Sequence, residues 1–140
     1  MLWRVRFGRS SSALGVTTLR DQILPEGISG FVFPCSGSEA NEVAVAMARR
    51  YTGREKILTW YRSYHGGTNV SVSATGDYRR LGQVQAPGFV KVWNPSPYFF
   101  EFAGVTESER AESYLSMLEE QIIAEGPHTI ASIMIESGYH

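Results

Sequence analysis

Residues 31–53 read FVFPCSGSEANEVAVAMARRYTG, and their pattern is the strongest indication of the fold. It opens with mostly apolar residues, passes through a small-residue turn at 36–38, and continues at once as a helical pattern. Apolar residues recur there at the spacing of one buried helix face, and they are Ala40, Val43, Ala44, Met47, Ala48 and Tyr51. The pattern predicts a strand over residues 30–35, a tight turn, and a helix that stops at Gly53.

The turn has the features of a helix start that can hold an anion. Ser36 and Glu39 have the spacing of a capping box. A helix N-terminus offers free backbone N–H groups, Gly37 lets an oxyanion approach closely, and Ser36 and Ser38 add hydroxyls. These features fit a phosphate cradle, although on spacing alone such turns are more often plain strand-to-helix connections.

Three further β-rich runs alternate with helical segments, namely KILTWY at 56–61, GFVKVW at 88–93 and TIASIMIE at 129–136. A short helix is predicted over 16–23, and a long one follows a second capping box formed by Thr106 and Glu109. The long helix has an apolar stripe made of Ala111, Leu115, Leu118 and Ile122.

This alternation predicts an α/β fold, a three-layer, mainly parallel sheet with helices on both faces. Ligands gather at the carboxyl ends of the strands in such sheets. The turn at 36–38, residues 64–66 and Glu136 should therefore lie along one rim. Residues 62–77, which combine an aromatic residue, a histidine and small polar residues, are predicted to be a loop beside a ligand.

Composition argues against several classes of protein. The net charge of −1 and the scattered basic residues give no sign of nucleic-acid binding, and no apolar run is long enough to span a membrane.

The single cysteine, Cys35, excludes an internal disulfide and fits a reducing compartment. It is predicted to be buried at a strand end rather than to act as a nucleophile. Residues 1–18 are rich in arginine and serine and contain no acid, which is typical of a mitochondrial transit peptide. The alternative is that this start was created by a truncated reading frame. The expected location is cytoplasmic or mitochondrial.

Three motifs carry a resemblance to a known family. SGSEANE at 36–42, YHG at 64–66 and TGD at 75–77 resemble the class III (omega-amino acid) aminotransferases, the pyridoxal 5'-phosphate (PLP) enzymes of fold type I. The resemblance runs in order and spacing from about residue 19 to residue 135. It implies that residues 19–140 are an incomplete PLP-binding large domain and that residues 1–18 are an extension before it.

The resemblance also implies a cofactor site. The residues that match it are Ser36, Gly37, Ser38, Tyr64, His65 and Glu136. By resemblance, the first three hold the cofactor's phosphate, the tyrosine stacks on its pyridine ring with the histidine beside it, and the glutamate ends a strand nearby. The family commonly has proline after that glutamate, whereas Ser137 follows here, so a buried strand-end carboxylate that pairs elsewhere is an open alternative for Glu136.

The implied reaction moves an amino group from an amino donor to a keto acid such as pyruvate or 2-oxoglutarate, in a protein that is a homodimer when complete. The family's Schiff-base lysine and pyridine-nitrogen aspartate are expected beyond His140, and neither Lys56 nor Lys91 matches the context of that lysine. No catalytic residue and no metal ligand is therefore assigned. Two alternatives remain open. One is a non-catalytic remnant that binds phosphate or a full-length paralogue, and the other is an aminomutase or lyase of the same family.

Overall fold

A computed structural model describes residues 11–28, 30–98 and 101–136. The chain divides into two compact units, Met1–Phe33 and Pro34–His140. The first unit contains helix α1, Ser11–Thr18, followed by a turn of π-helix, Leu19–Ile23. The helix predicted over 16–23 is thus confirmed and begins earlier than expected. It ends where Leu24 turns extended, as a residue before proline prefers.

The second unit is built on a parallel sheet. Its strands are β1 (Lys56–Trp60), β2 (Phe89–Val92) and β3 (Ile130–Met134), arranged in the order β2-β1-β3 with both pairs parallel. Its helices are α2 (Gly37–Thr52), α3 (Asn69–Ala74) and α4 (Glu107–Glu125), with short 3-10 helices at Tyr78–Arg80 and Pro127–Thr129. The three strands predicted at 56–61, 88–93 and 129–136 are confirmed.

Helices cover both faces of the sheet. On one face Leu118 and Ile122 of α4 pack against a core of Leu58, Trp60 and Val92. Successive strand residues point to opposite faces, so Thr59 and Lys91 point the other way, where Lys91 bonds to the carbonyls of Ser73 and Ala74 at the end of α3. The predicted three-layer α/β arrangement is confirmed.

Both predicted helix starts are confirmed. Ser36 Oγ accepts a hydrogen bond from Glu39 N at 3.2 Å, and the Glu39 carboxylate accepts one from Cys35 N at 2.8 Å. Thr106 and Glu109 form the reciprocal pair of a capping box at the start of α4. Helix α2 stops at Gly53, whose φ of 67° lies in the left-handed region.

The prediction of a strand over residues 30–35 is wrong. These residues pair with no strand among the residues that the structure describes. Pro34 has no N–H to give to a ladder, and the run needs a neighbouring strand that the order β2-β1-β3 does not provide. Cys35 is exposed, so the prediction of a buried cysteine is also wrong.

The apolar face predicted for α2 is not its buried face. Met47 and Tyr51 are 58% and 93% exposed, whereas Val45, which lies off that stripe, is 5% exposed. The inward-facing residues that bond to the chain beyond β1 are polar, and they are Ser38, Asn41 and Glu42. Hydrogen bonds to backbone groups accompany this orientation of the helix, and apolar periodicity does not detect them.

The region predicted as one loop, residues 62–77, contains helix α3. Its sequence NVSVSA has weak helix propensity, so pattern alone gives no helix there. The helix forms in a buried setting, where its last four residues are all buried. In α4 the predicted stripe is half right, because Leu118 and Ile122 pack on the core while Leu115 is 59% exposed.

No helix in the three described segments combines the length and the hydropathy needed to cross a bilayer.

Candidate functional site

The start of α2 lies against the loop that follows β1. Ser38 Oγ accepts a hydrogen bond from Gly67 N at 3.3 Å. The neighbouring Gly66 has a φ of 127°, and a Cβ added there would overlap Ser38 Oγ and lie 2.7 Å from Ser71 Oγ. The close approach of helix and loop therefore requires glycine at position 66.

The backbone of the loop is fixed at His65 from two sides. Asn41 Nδ2 on α2 donates to the His65 carbonyl at 2.7 Å, and His65 N donates to Thr75 Oγ1 at 3.0 Å. Thr75 is fully buried. The amides of Gly76 and Asp77 both donate to the Ser63 carbonyl, so the TGD segment ties down the other end of the same loop.

Tyr64 presents its ring at the surface of this loop. The residue is 47% exposed, and its backbone N donates to Glu136 Oε1 at 3.1 Å. The Arg79 guanidinium lies 4.2 Å from the centroid of the Tyr64 ring, within cation–π range, and pairs with Asp77 at 3.1 Å. Arg79 thus supports the ring of a residue that remains partly open to solvent.

His65 is a buried, neutral imidazole at neutral pH. Its side chain is 8% exposed, and burial lowers the pKa of His65, with Glu136 opposing that effect and Lys91 adding to it. The ring atom Nε2 has no hydrogen-bond partner among the described residues. An uncharged ring with an unpaired nitrogen can accept or donate one hydrogen bond to a group that joins the site.

The structure brings most of the predicted site residues together. Ser38 contacts the loop that carries Tyr64 and His65, and Glu136 bonds to that loop from the end of β3. Gly37 begins α2 beside Ser38, whereas the Ser36 hydroxyl is engaged by the helix cap. The assignment of these residues to a cofactor stays a prediction.

A cavity of about 540 Å³ lies elsewhere, between the loop after β2 and the first half of α4. Its lining residues are Pro95, Pro97, Phe102, Glu107, Arg110, Ala111, Tyr114 and Leu115. None of the predicted site residues lines it, so it is not the candidate site.

A family model supplies the decisive comparison. The model for class III aminotransferases matches residues 5–138. The chain belongs to the class III aminotransferase family. The acetylornithine aminotransferase of Listeria innocua is 45% identical to it over 75 residues, which cover 51% of this chain and 19% of that protein.

Solved structures of aminotransferases share the fold. The taurine:2-oxoglutarate aminotransferase of Bifidobacterium kashiwanohense, solved in complex with PLP and glutamate, superposes with a TM-score of 0.66 and 44% identity over 74% of this chain and 24% of that one. An (S)-enantioselective omega-transaminase of Thermomicrobium roseum gives a TM-score of 0.79 at 32% identity, over 89% of this chain and 29% of that one. This class III chain thus spans less than a third of the length of each of these relatives.

The groups that this class III chain brings together suit a phosphorylated aromatic ring. The first N–H groups of a helix have no intrahelical acceptor, so the amides of Gly37 and Ser38 point outward with the positive end of the helix dipole behind them. The Ser38 hydroxyl bonds to the loop that also carries the partly exposed Tyr64 and the buried His65, whose Nε2 has no partner among the described residues. Anion donors beside a flat apolar surface are the chemistry that such a ring needs.

Sequence reasoning missed three residues that build the site, namely Asn41, Glu42 and Thr75. A signal for the first two was present. Ser38, Asn41, Glu42 and Val45 fall at helical spacing and form a second, mostly polar face within the quoted motif. For Thr75 the only signal in the sequence was that it belongs to the TGD segment at 75–77.

Proposed function

We propose that this chain carries the cofactor-binding part of a PLP-dependent aminotransferase, which moves an amino group from an amino donor to a keto acid such as pyruvate or 2-oxoglutarate. The observation that supports this most strongly is the contact between Ser38, at the start of α2, and Gly67, in the loop that presents Tyr64. That contact brings the start of α2 to the loop that carries Tyr64, as a shared site for phosphate and ring requires. Membership of the class III family supplies the chemical context.

Each residue has a separate task in this proposal. The amides of Gly37 and Ser38, with the Ser38 hydroxyl, bind the phosphate. Tyr64 gives its open face to the pyridine ring, while Glu136 holds the Tyr64 backbone in position. The cofactor, when bound, supplies the electron sink for bond breaking at the amino-bearing carbon. His65, being neutral and buried, can hydrogen-bond the bound ring system without adding charge to it.

The experiment is an amino-transfer assay on the protein expressed from its complete reading frame. The protein is mixed with PLP, 2-oxoglutarate and a panel of amino donors, and glutamate is measured. Glutamate formation with at least one donor is expected. PLP binding without any amino transfer would favour the non-catalytic alternative, and no PLP binding would contradict the proposal as a whole.

We also propose that the complete protein is a homodimer, located in the cytoplasm or the mitochondrion. Sedimentation equilibrium is expected to give twice the subunit mass. A fluorescent protein fused behind residues 1–18 should enter mitochondria if that segment is a transit peptide. A monomer in the sedimentation experiment would disprove the proposed dimer. A fusion protein confined to the cytoplasm would disprove the mitochondrial location.

A further inference from the structure

Lys91 is a partly buried lysine on β2 whose side chain bonds to uncharged groups of β1 and α3. Its Nζ donates three hydrogen bonds, to Thr59 Oγ1 at 2.7 Å, to the Ser73 carbonyl at 2.6 Å and to the Ala74 carbonyl at 2.8 Å. In its protonated form the amino group has three N–H donors, so each one is used. None of the three acceptors carries a formal charge. Burial, with a smaller contribution from Arg80, lowers the pKa of Lys91 to about 7.

The three bonds join the sheet to the end of α3. Thr59 belongs to β1 and Lys91 to β2, while Ser73 and Ala74 are the last residues of α3. The last carbonyls of a helix lack intrahelical donors and favour a nearby cation. Lys91 therefore fixes the C-terminal end of α3 over the middle of the sheet.

The next residue passes this restraint to the site. Thr75 is fully buried, and its Oγ1 donates to the Ser71 carbonyl at 2.9 Å while accepting from His65 N at 3.0 Å. Its own N donates to the same Ser71 carbonyl at 3.0 Å, so its position follows that of α3. The hydrogen bonds of Lys91 to the end of α3, the peptide bond to Thr75 and the bond from His65 N to Thr75 thus connect Lys91 to the backbone of His65, beside Tyr64 and Gly66.

We infer that Lys91, acting through Thr75, is a positioning residue that holds residues 64–66 in the geometry needed for the cofactor. The inference rests on the proposed function, because the loop it positions is the one that would bind PLP. Lys91 itself touches neither Tyr64 nor Ser38 through any of its three bonds. Its hydrogen bonds act on the shape of the site, and its charge adds only the smaller effect that lowers the pKa of His65.

The chain offers a matched control in its other lysine. Lys56 Nζ bonds to the Glu125 carbonyl and to Glu125 Oε2, the latter at 2.7 Å, at the start of β1 and so at the opposite end of that strand from the loop. Both lysines hold a helix end to the sheet. Only Lys91 holds α3, the helix whose end connects through Thr75 to the backbone of His65.

The test compares Lys91→Met with Lys56→Met by two measurements. The first is hydrogen exchange at the His65 amide in the protein without added cofactor, and the second is the Kd for PLP from the induced circular dichroism of the bound ring. Lys91→Met is expected to speed exchange at His65 and to weaken PLP binding, each by about tenfold, which is the scale of one lost hydrogen bond. Lys56→Met should leave both values within about twofold of the unmodified protein, since it breaks contacts at the far end of the strand.

A second variant covers the case in which Lys91→Met fails to fold. Thr75→Val keeps the side-chain size and removes only the hydroxyl, and it should speed exchange at His65 while leaving exchange in β1 unchanged. Unchanged exchange at His65 in both variants, or equal effects of the two lysine variants, would overturn the inference. If the unmodified protein does not bind PLP, the proposed function fails, whereas the exchange measurement still decides whether Lys91 positions the loop.

Discussion

At the scale of single residues, Gly66 marks the point of closest approach between α2 and the loop. An alanine there meets the Ser38 and Ser71 hydroxyls and has to adopt a φ of 127°. We expect Gly66→Ala to lower the free energy of unfolding by about 1–3 kcal/mol, from crowding and backbone strain together. Urea unfolding measures this.

Gly67 provides the matched control for that variant. A Cβ at Gly67 has no atom within 4 Å, so Gly67→Ala should change the unfolding free energy by less than about 0.5 kcal/mol. Equal effects of the two alanines would show that the contact between Ser38 and position 66 is not as tight as described.

Tyr64 is predicted to act through its ring and not through its hydroxyl. Tyr64→Phe should keep the Kd for PLP within about twofold, and Tyr64→Ala should raise it by up to about tenfold, the scale of one aromatic contact. Fluorescence titration gives both values. Tyr51 is 93% exposed at the far end of α2, and Tyr51→Ala should have no effect. A loss of binding in Tyr64→Phe would contradict a purely stacking role.

At the scale of elements, the start of α4 has a pH-sensitive cap. Hydrogen bonds from Thr106 N and Val105 N, and then one involving the Thr106 side chain, lower the pKa of Glu109 below its ordinary value of 4.5. The folded state therefore binds the proton less readily than the unfolded chain does. The stabilisation from Glu109 is complete above pH 4.5 and is lost as the pH falls through the lower folded-state pKa.

Glu109→Gln should flatten the acid side of the stability curve, because glutamine does not titrate. Thr106→Ala should cost about 1 kcal/mol at neutral pH through loss of the cap. Thermal unfolding between pH 3 and pH 7 compares them at about one-unit intervals, a range chosen to span the ordinary glutamate pKa. The account of the cap fails if Glu109→Gln keeps the full acid dependence of the unmodified protein.

Helix ends could be predicted from the sequence, whereas one strand and the buried face of α2 could not. Local signals predicted the caps at Ser36 and Thr106 and the stop at Gly53, because those contacts join residues close together in sequence. The strand predicted at 30–35 failed because a strand needs a partner, and no window of sequence supplies one. The buried face of α2 was also wrong, because its contacts go to backbone groups about 25 residues away, such as Asn41 Nδ2 to the carbonyl of residue 65.

At the scale of the whole molecule, the alternation of β-rich and helical segments was enough to predict a parallel sheet covered on both faces. That topology places the ends of β1 and β3 at one edge, which is why Tyr64 and Glu136 meet although they are 72 positions apart in the sequence. The resemblance in the 36–42, 64–66 and 75–77 motifs pointed to the family that the comparison confirms. It did not predict the contacts of Lys91 and Thr75. These contacts depend on helix α3, and the sequence pattern predicted a loop there.

The proposed function requires that the start of α2 and the loop after β1 form one binding site. A titration of the isotope-labelled protein with PLP, followed by two-dimensional amide NMR, tests this. We expect saturable shifts concentrated at the amides of Gly37, Ser38, Tyr64 and Gly67, and competing inorganic phosphate should reverse them. Shifts that saturate at other amides, or no shifts at millimolar PLP, would disprove a shared site.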